Sequence, residues 1–573
     1  MYLEQYNHWM KQDNLESYLK EQLETMNEVE KEDAFYRNLE FGTGGMRGVV
    51  GPGTNRMNVY TIRKANEGFA QYLLKNVENV KQRGIIIAYD CRHFSPEFAM
   101  ESAKVLATHG IKAYVFESLR PTPELSFAVR YLHAAGGIVV TASHNPPEYN
   151  GYKLYDETGC QLVPHQGDEV IKYVDAIEDV FSITVKDDEE LKAAGLIELI
   201  GEEIDTAYVN AIKTLEINSN CHKKDLKIVF SPLHGTANIP VRRVLAECGY
   251  EQLHVVEEQC TFDPNFSTVK SPNPEETSAF EMAINIAKDI DADIVMATDP
   301  DADRVGLAVK NSEGEYVLLT GNQTGTILIH YILSQKKEKG LLPAKGKVFN
   351  TIVTSDMGAK IARTYGFEVV STLTGFKFIG EQARLIEDTE YEYVFGYEES
   401  YGYLIGDFVR DKDSVQSVLM CAEAAAYYKE HGKTLYDVLM ELYETYGCYR
   451  EELVSITLKG KEGAEKIQSI LADFREFTPI TVAGKAVTVV EDYKESLRTD
   501  LKNEVTTIIE LPKSNVLKYI LDDGSWFVLR PSGTEPKAKI YIGVIADTVD
   551  VADAQVVRIK EDILARIHEI IKL

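Results

Sequence analysis

Three times along this chain, short apolar runs alternate with amphipathic helical stretches, and each time the alternation ends on a polar loop. That repetition points to α/β architecture, because alternating strands and helices bury their apolar faces best as a sheet covered by helices. The first round predicts strands at 84–89, 113–116 and 137–140 and a helix at 96–108, with Thr122 capping a further helix that has Pro123 at its first position. It ends on Thr141-Ala142-Ser143-His144-Asn145-Pro146. The second, from about Glu202, predicts strands 227–230, 253–256 and 293–297 and helices 240–248 and 276–288, and ends on Thr298-Asp299-Pro300-Asp301-Ala302-Asp303-Arg304. The third, from about Gly321, predicts strands 348–353, 368–370 and 393–395 and helices to 333 and at 357–365 and 376–386. It ends on Gly396-Tyr397-Glu398-Glu399-Ser400-Tyr401-Gly402.

After a helix at 415–430, with Asp413 as its cap and Gln416 as the reciprocal partner, the pattern changes. Strands at 453–458, 487–490, 525–529 and 539–544 mix with helices at 463–474 and 549–571. The expected fold is three related mixed α/β domains plus a C-terminal α+β domain around a central cleft, with domains at 1–200, 201–318, 319–440 and 441–573. Open α/β sheets bind ligands beyond the carboxyl ends of their strands, so the three loops are expected to face that cleft. Residues 2–37 read as two or three packing helices, with Leu15, Tyr18, Leu19 and Leu23 on one face.

Ser143 follows a buried strand and precedes two prolines, which would lift one hydroxyl to a sheet rim on a stiff loop. A serine hydroxyl is a weak nucleophile and needs a base, a metal or prior modification. An ordinary turn is the alternative reading, and no G-x-S-x-G elbow is present. Asp90, Cys91, Arg92 and His93 end an earlier strand of the same round; they line the same rim, or Arg92 and His93 are solvated. The glycines of Phe41-Gly42-Thr43-Gly44-Gly45-Met46-Arg47-Gly48 would let backbone approach an anion that Arg47 reaches.

Asp299, Asp301 and Asp303 put three like charges on one Pro-constrained turn, a repulsion that a hard divalent cation such as Mg²⁺ relieves. An EF-hand is disfavoured, because counting from Asp299 the sixth position is Arg304 instead of Gly and the twelfth is Lys310 instead of Glu, and a solvated acidic turn is the alternative reading. The net charge of -29 argues against nucleic acid and anionic membranes as partners, and requires any phosphate site to concentrate cations locally. Seven scattered cysteines without a CxxC pair fit a reducing cytoplasm. There is no P-loop, no signal peptide and no apolar run of the ~18 residues a membrane span needs.

The three loops, followed by Arg530-Pro531-Ser532-Gly533-Thr534-Glu535-Pro536-Lys537, resemble in this order the motifs of the α-D-phosphohexomutase superfamily, most nearly its phosphoglucomutases. The likeness runs from about Phe41 to Lys539. It implies interconversion of α-D-glucose 1-phosphate and glucose 6-phosphate through a phosphoserine, with glucose 1,6-bisphosphate as intermediate and activator. Phosphomannomutase and phosphopentomutase activities remain alternatives, and a non-catalytic sugar-phosphate sensor a remote one.

By residue, the resemblance makes Ser143 the phosphoryl carrier and, with Asp299, Asp301 and Asp303, a ligand of one Mg²⁺. Arg304 would neutralise charge on the transferring group, and His144 would orient the serine loop. Lys153 matches the family's general base, which requires its pKa to fall through burial beside other cations. A histidine base known from the sugar loop of some members is absent, since Gly402 and Tyr403 stand there. Glu398 and Ser400 would bind two adjacent sugar hydroxyls, with Lys377 as a further sugar or phosphate contact. Arg530, Ser532, Gly533 and Thr534 would hold the phosphate that does not react, on a loop expected to swing closed over substrate. A sugar phosphate is the only partner implied; oligomeric state is left open.

Overall fold

The unbroken apolar run Ile85–Tyr89 forms the fully buried centre of the first sheet, as near-continuous β-branched runs do when helices cover both faces. The computed structural model describes residues 2–42, 45–458, 460–531 and 537–572. Six strands build this sheet: β1 (Gly45–Val49), β2 (Ile85–Tyr89), β3 (Ala113–Phe116), β4 (Gly136–Val140), β5 (Tyr149–Asp156) and β6 (Ile197–Ile200). Their spatial order is β1-β5-β4-β2-β3-β6. β4, β2, β3 and β6 are parallel; β5 returns antiparallel beside β4, and β1 lies antiparallel on β5. Helix Val59–Asn76 contributes Ile62, Phe69 and Leu73 to the core, where they join Phe98 and Leu106 of helix Ser95–Thr108 and Ile85, Ile87 and Val140 of the sheet.

The second sheet repeats the plan with β7 (Ile228–Ser231), β8 (Leu253–Val255), β9 (Ile294–Thr298), β10 (Val305–Lys310) and β11 (Tyr316–Leu318), in the order β11-β10-β9-β7-β8. Here too the strand that delivers a polar loop, β9, is parallel to its neighbour β7, and the strand after the loop, β10, returns antiparallel. In the third domain, β12 (Gly346–Thr351) and β13 (Glu368–Thr372) pair in parallel, and β14 (Glu392–Glu398) and β15 (Gly402–Leu404) form an antiparallel hairpin. Each of the three polar loops therefore joins a strand to its own antiparallel return. A short hairpin connection fixes the loop at both ends far more tightly than a long crossover does.

Two compact units emerge from the contacts. The larger comprises Met1–Gly321, Gln335–Gly346 and Phe376–Thr434, and holds the first two sheets and the β14–β15 hairpin. The smaller comprises Asn322–Ser334, Lys347–Gly375 and Leu435–Leu573. Its C-terminal part is an antiparallel sheet in which Trp526–Pro531 lies between Leu517–Leu521 and Lys537–Ala546, and the last of these also pairs with Cys448–Thr457. Helix Val549–Ile571 buries Ala552, Val556, Ile559, Ile563 and Ile567, an apolar stripe at helical spacing. At the N-terminus, helices Tyr2–Met10, Ser17–Thr25 and Glu28–Phe35 pack around Trp9, whose ring meets those of Phe35, Tyr60 and Phe181 edge-on. The architecture is thus four α/β domains of mixed sheets and helices. Among the described residues no helix is long and apolar enough to cross a membrane.

Three local expectations are corrected. Thr122 does not cap its helix: it is the first helical residue after Pro121, and its hydroxyl donates to Asp301 Oδ2 at 3.0 Å. Asp413 does cap helix Ser414–Glu430, but Gln416 does not reciprocate, because its Oε1 accepts from the backbone of Ile405 and Gly406. The glycine-rich stretch at 41–48 is only partly a loop, since Gly45–Val49 is strand β1, and Thr43 and Gly44 lie outside the described residues.

Candidate active site

Ser143 leaves β4 with a φ of 52°, a left-handed conformation that an L-residue holds only where its surroundings over-determine it. Two networks do so. Thr141 Oγ1 accepts from the Ser143 amide at 2.9 Å and donates to Asp90 Oδ2 at 2.6 Å. The guanidinium of Arg92, wholly buried, donates to the carbonyls of Ser143 at 2.6 Å, Pro146 at 2.8 Å and Tyr149 at 3.0 Å, and to that of Asn145. Arg92 is therefore not solvated. His93 is exposed, with Nε2 2.8 Å from Asn265 Oδ1.

Ser143 itself is buried, and its hydroxyl donates to Asp299 Oδ2 at 2.6 Å. The aspartate loop that supplies this carboxylate is pinned from three elements. The Thr122 amide donates to Asp301 O and the Thr236 amide to Pro300 O, each at 2.9 Å, while the amide and hydroxyl of Ser414 donate to Ala302 O at 3.1 and 2.6 Å. Gly235 is needed for the second contact, because a Cβ there would stand 2.5 Å from Pro300 Cα.

Asp299, Asp301 and Asp303 are buried, and one carboxylate oxygen from each lies within 4.8 Å of the others. Burial, then the Asp303 and Asp301 charges, push Asp299 well above the usual carboxylate range. Burial acts the same way on Asp303, but Lys412, Lys153 and Arg304 hold it below that range. Asp301 Oδ1 and Asp303 Oδ1 are buried with no hydrogen-bond donor. Three converging carboxylates with two orphaned oxygens are a fit donor set for a hard divalent cation.

Around the triad stand four cationic side chains. Lys153, on β5, donates to Asp301 Oδ2 at 2.8 Å and lies 3.5 Å from Asp303 Oδ2. Burial lowers its pKa, but the two carboxylates more than reverse that, so it stands above the usual lysine value instead of falling as its assignment as base requires. Lys412 Nζ is 2.9 Å from Asp303 Oδ2 and was missed in the sequence. Its side chain fills the space beside Gly402, where a Cβ would meet Lys412 Cδ at 2.1 Å. Only its neighbourhood to the capping Asp413 could have drawn attention to it. Arg304 pairs with Glu275. Arg47, on β1, donates to Asn145 Oδ1 at 2.9 Å, and so reaches the serine loop.

His144 Nδ1 lies 3.2 Å from Ser143 Oγ, and burial, reinforced by Arg304 and Arg47, pushes the imidazole well below its usual value, so it is neutral. Ser400 donates to Glu398 Oε1 at 3.0 Å; burial raises the Glu398 carboxyl, with Lys412 and Arg304 opposing. Lys377 sits in the first turn of helix Phe376–Leu385, its Nζ 5.5 Å from the Phe378 ring centroid. Thus Ser143, His144, Lys153, Arg47, Arg304 and the three aspartates converge, with Glu398 within electrostatic reach of Lys412 and Arg304. Arg530 belongs to the smaller unit, in strand Trp526–Pro531 opposite Lys539; Ser532, Gly533 and Thr534 lie outside the described residues.

A buried serine bonded to a metal-fit carboxylate triad, at the strand ends of repeated α/β domains, defines a phosphoryl-transfer class. The chain belongs to the phosphoglucomutase/phosphomannomutase family of the α-D-phosphohexomutases: residues 38–180, 206–314 and 320–446 match its α/β/α domains I, II and III, and 459–561 its C-terminal domain. The chain is 38% identical to a phosphoglucomutase of Staphylococcus epidermidis, over 94% of this chain and 96% of the relative. It is 39% identical to a phosphoglucomutase of Staphylococcus aureus, over 94% and 95%. Its fold is similar to that of parafusin, a phosphoglucomutase of Paramecium, at a TM-score of 0.67 and 19% identity over 93% and 96% of the two chains. It is accordingly an isomerase of carbohydrate metabolism, an intramolecular phosphotransferase with phosphoglucomutase as its function.

Proposed function

We propose that the chain interconverts α-D-glucose 1-phosphate and glucose 6-phosphate by carrying the phosphoryl group on Ser143. The observation that carries this reading is the 2.6 Å hydrogen bond from the Ser143 hydroxyl to Asp299 within the buried triad. Asp299, Asp301 and Asp303, with an oxygen of Ser143, are the proposed holders of one Mg²⁺, which supplies charge neutralisation for the transferring group. Arg304 and Arg47 add fixed positive charge at the same place. Lys153 and Lys412 are the proton-handling candidates. Each is held protonated by the carboxylates it faces, so each can return a proton to a leaving oxygen, and each becomes a base only when those carboxylates are otherwise neutralised.

His144, neutral, keeps the serine oriented. Glu398 and Ser400 are the proposed contacts to adjacent sugar hydroxyls, the handles common to a substrate and to its bisphosphate turned end for end, with Lys377 as an auxiliary contact. Arg530, Ser532, Gly533 and Thr534 are the proposed holders of the distal phosphate. We further propose domain boundaries near residues 200, 318 and 440, a catalytic requirement for glucose 1,6-bisphosphate, and a cytoplasmic location, which suits seven free cysteines.

The test is turnover with Mg²⁺ and a trace of glucose 1,6-bisphosphate, comparing glucose, mannose and ribose 1-phosphates by kcat/KM. Highest kcat/KM for the glucose compound is expected. Preference for mannose or ribose 1-phosphate would keep the mechanism and reassign the substrate. Ser143→Ala is expected to lose turnover while melting like the parent; retained turnover would remove Ser143 as carrier.

A further inference from the structure

Of the four carbonyls that Arg92 gathers, three belong to the loop carrying Ser143, one of them that of Ser143 itself, and the fourth, of Tyr149, opens β5. A planar fork serving several acceptors loses its geometry if it tilts, so something must fix its plane. Its edge faces Asp90 as an ion pair, Oδ2 lying 3.3 Å from Nε, but Nε makes no hydrogen bond there, so the edge contact alone does not fix the plane. Its face is covered from the second domain: the Phe266 ring centroid lies 5.0 Å from the guanidinium carbon.

Phe266 is not there by default. It is 1% exposed, and its φ of 50° is left-handed, an unfavourable conformation for an aromatic residue. The turn that presents it is built around Asp263, which accepts from the amides of Asn265 at 2.9 Å and Ser267 at 2.7 Å and whose carbonyl accepts from the Phe266 amide at 3.1 Å. Asn265 in turn meets His93, the residue after Arg92, at 2.8 Å. The turn belongs to the same domain as the aspartate triad and meets the first domain at Arg92 and His93.

We propose that Phe266 is a positioning residue for phosphoryl transfer: its ring holds the Arg92 guanidinium in the plane that keeps Ser143 in its left-handed, triad-facing conformation. This rests on Ser143 being the phosphoryl carrier. The ring face supplies a cation–π contact in a site shielded from water, where such contacts are strongest. It also makes the serine loop answer to the position of the metal-bearing domain, so Ser143 is presented only when that domain is docked.

The experiment compares Phe266→Met, which fills the volume but offers no ring face, with Phe266→Tyr, which keeps the face. For each, kcat and KM for glucose 1-phosphate, Tm, and the rate at which water removes phosphate from the loaded enzyme are measured. Phosphate on Ser143 is located by mass spectrometry after incubation with glucose 1,6-bisphosphate. Phe266→Met is expected to lose about tenfold in kcat, with KM within about twofold, a small change in Tm and faster hydrolysis relative to transfer; Phe266→Tyr is expected to keep most of kcat. Unchanged kcat in Phe266→Met, or equal losses in both variants tracking a fall in Tm, overturns the proposal and leaves Ser143 as carrier. Absence of phosphate from Ser143 in the unsubstituted chain overturns the carrier reading and this proposal with it.

Discussion

Gly402 shows how one missing atom shapes the site. The chain has no side chain at this position, and the stem of Lys412 passes through the space that opens, placing Nζ 2.9 Å from Asp303 Oδ2. Gly402→Ala puts a Cβ 2.1 Å from Lys412 Cδ and 3.3 Å from Glu398 Oε1, so the lysine stem must move. We expect a loss of about tenfold or more in kcat with little change in Tm, measured by steady-state kinetics beside thermal melts; parent-like kcat would show that the position of Lys412 does not matter. Residues of this kind are hard to read from sequence. Ser143 and the three aspartates are legible because a strand stops abruptly before each loop. Lys412 and Arg92 acquire meaning only from partners far along the chain, and a lone Lys or Arg beside an Asp reads equally well as solvated. For Lys153 the position was legible and the electrostatics were not: nothing along the sequence sets two carboxylates against its amine.

At the scale of elements, helices Val59–Asn76 and Ser95–Thr108 are tied by an ion pair that gives the first domain a pH signature. His109 Nε2 lies 2.8 Å from Glu67 Oε2. The hydrogen bond to Glu67, against burial, raises His109 above 6.5, and the same bond, against burial, lowers Glu67 below 4.5. A raised imidazole stabilises the fold fully below its unfolded value and loses that contribution as pH rises through its folded value. A lowered carboxyl contributes above its unfolded value and loses it as pH falls through its folded value. The Tm deficit of His109→Gln is therefore expected to be largest between pH 4.5 and 6.5 and to shrink as pH rises above 6.5 through the raised folded value of the imidazole; a deficit independent of pH would mean the pair contributes through packing alone. Helix Val59–Asn76 was itself unread in the sequence, although Asn58 and Thr61 form a reciprocal cap at its start. The return strand β5 was unread for another reason. Once a βαβ rhythm is established, a segment such as Tyr149–Asp156, with tyrosines and a lysine among its inward positions, carries no apolar run to mark it.

For the whole molecule, three of the carboxylates behind the net charge of -29 converge in the buried triad, and that fixes how the chain should respond to Mg²⁺. A cation that binds only the folded chain stabilises it by about 2.7 kcal/mol at a hundred times its Kd. Tm is expected to rise with Mg²⁺ and to saturate, and activity to be lost on chelation and restored on readdition. Asp301→Asn should abolish the shift while the chain still melts cooperatively; a shift that survives it would place the ion elsewhere.

The supports of the aspartate loop come from distant parts of the chain: Thr122 precedes it, while Ser414 and Tyr401, whose carbonyl accepts from the Val305 amide, follow it by some hundred residues. The larger compact unit likewise closes only with Phe376–Thr434. On a ribosome adding ~5–20 residues each second, the stretch from Asp303 to Ser414 takes on the order of ten seconds. Through that interval the nascent chain holds three clustered aspartates and a finished serine loop without the last of their buttresses, so the joined serine–aspartate arrangement is a property of chains grown past Ser414.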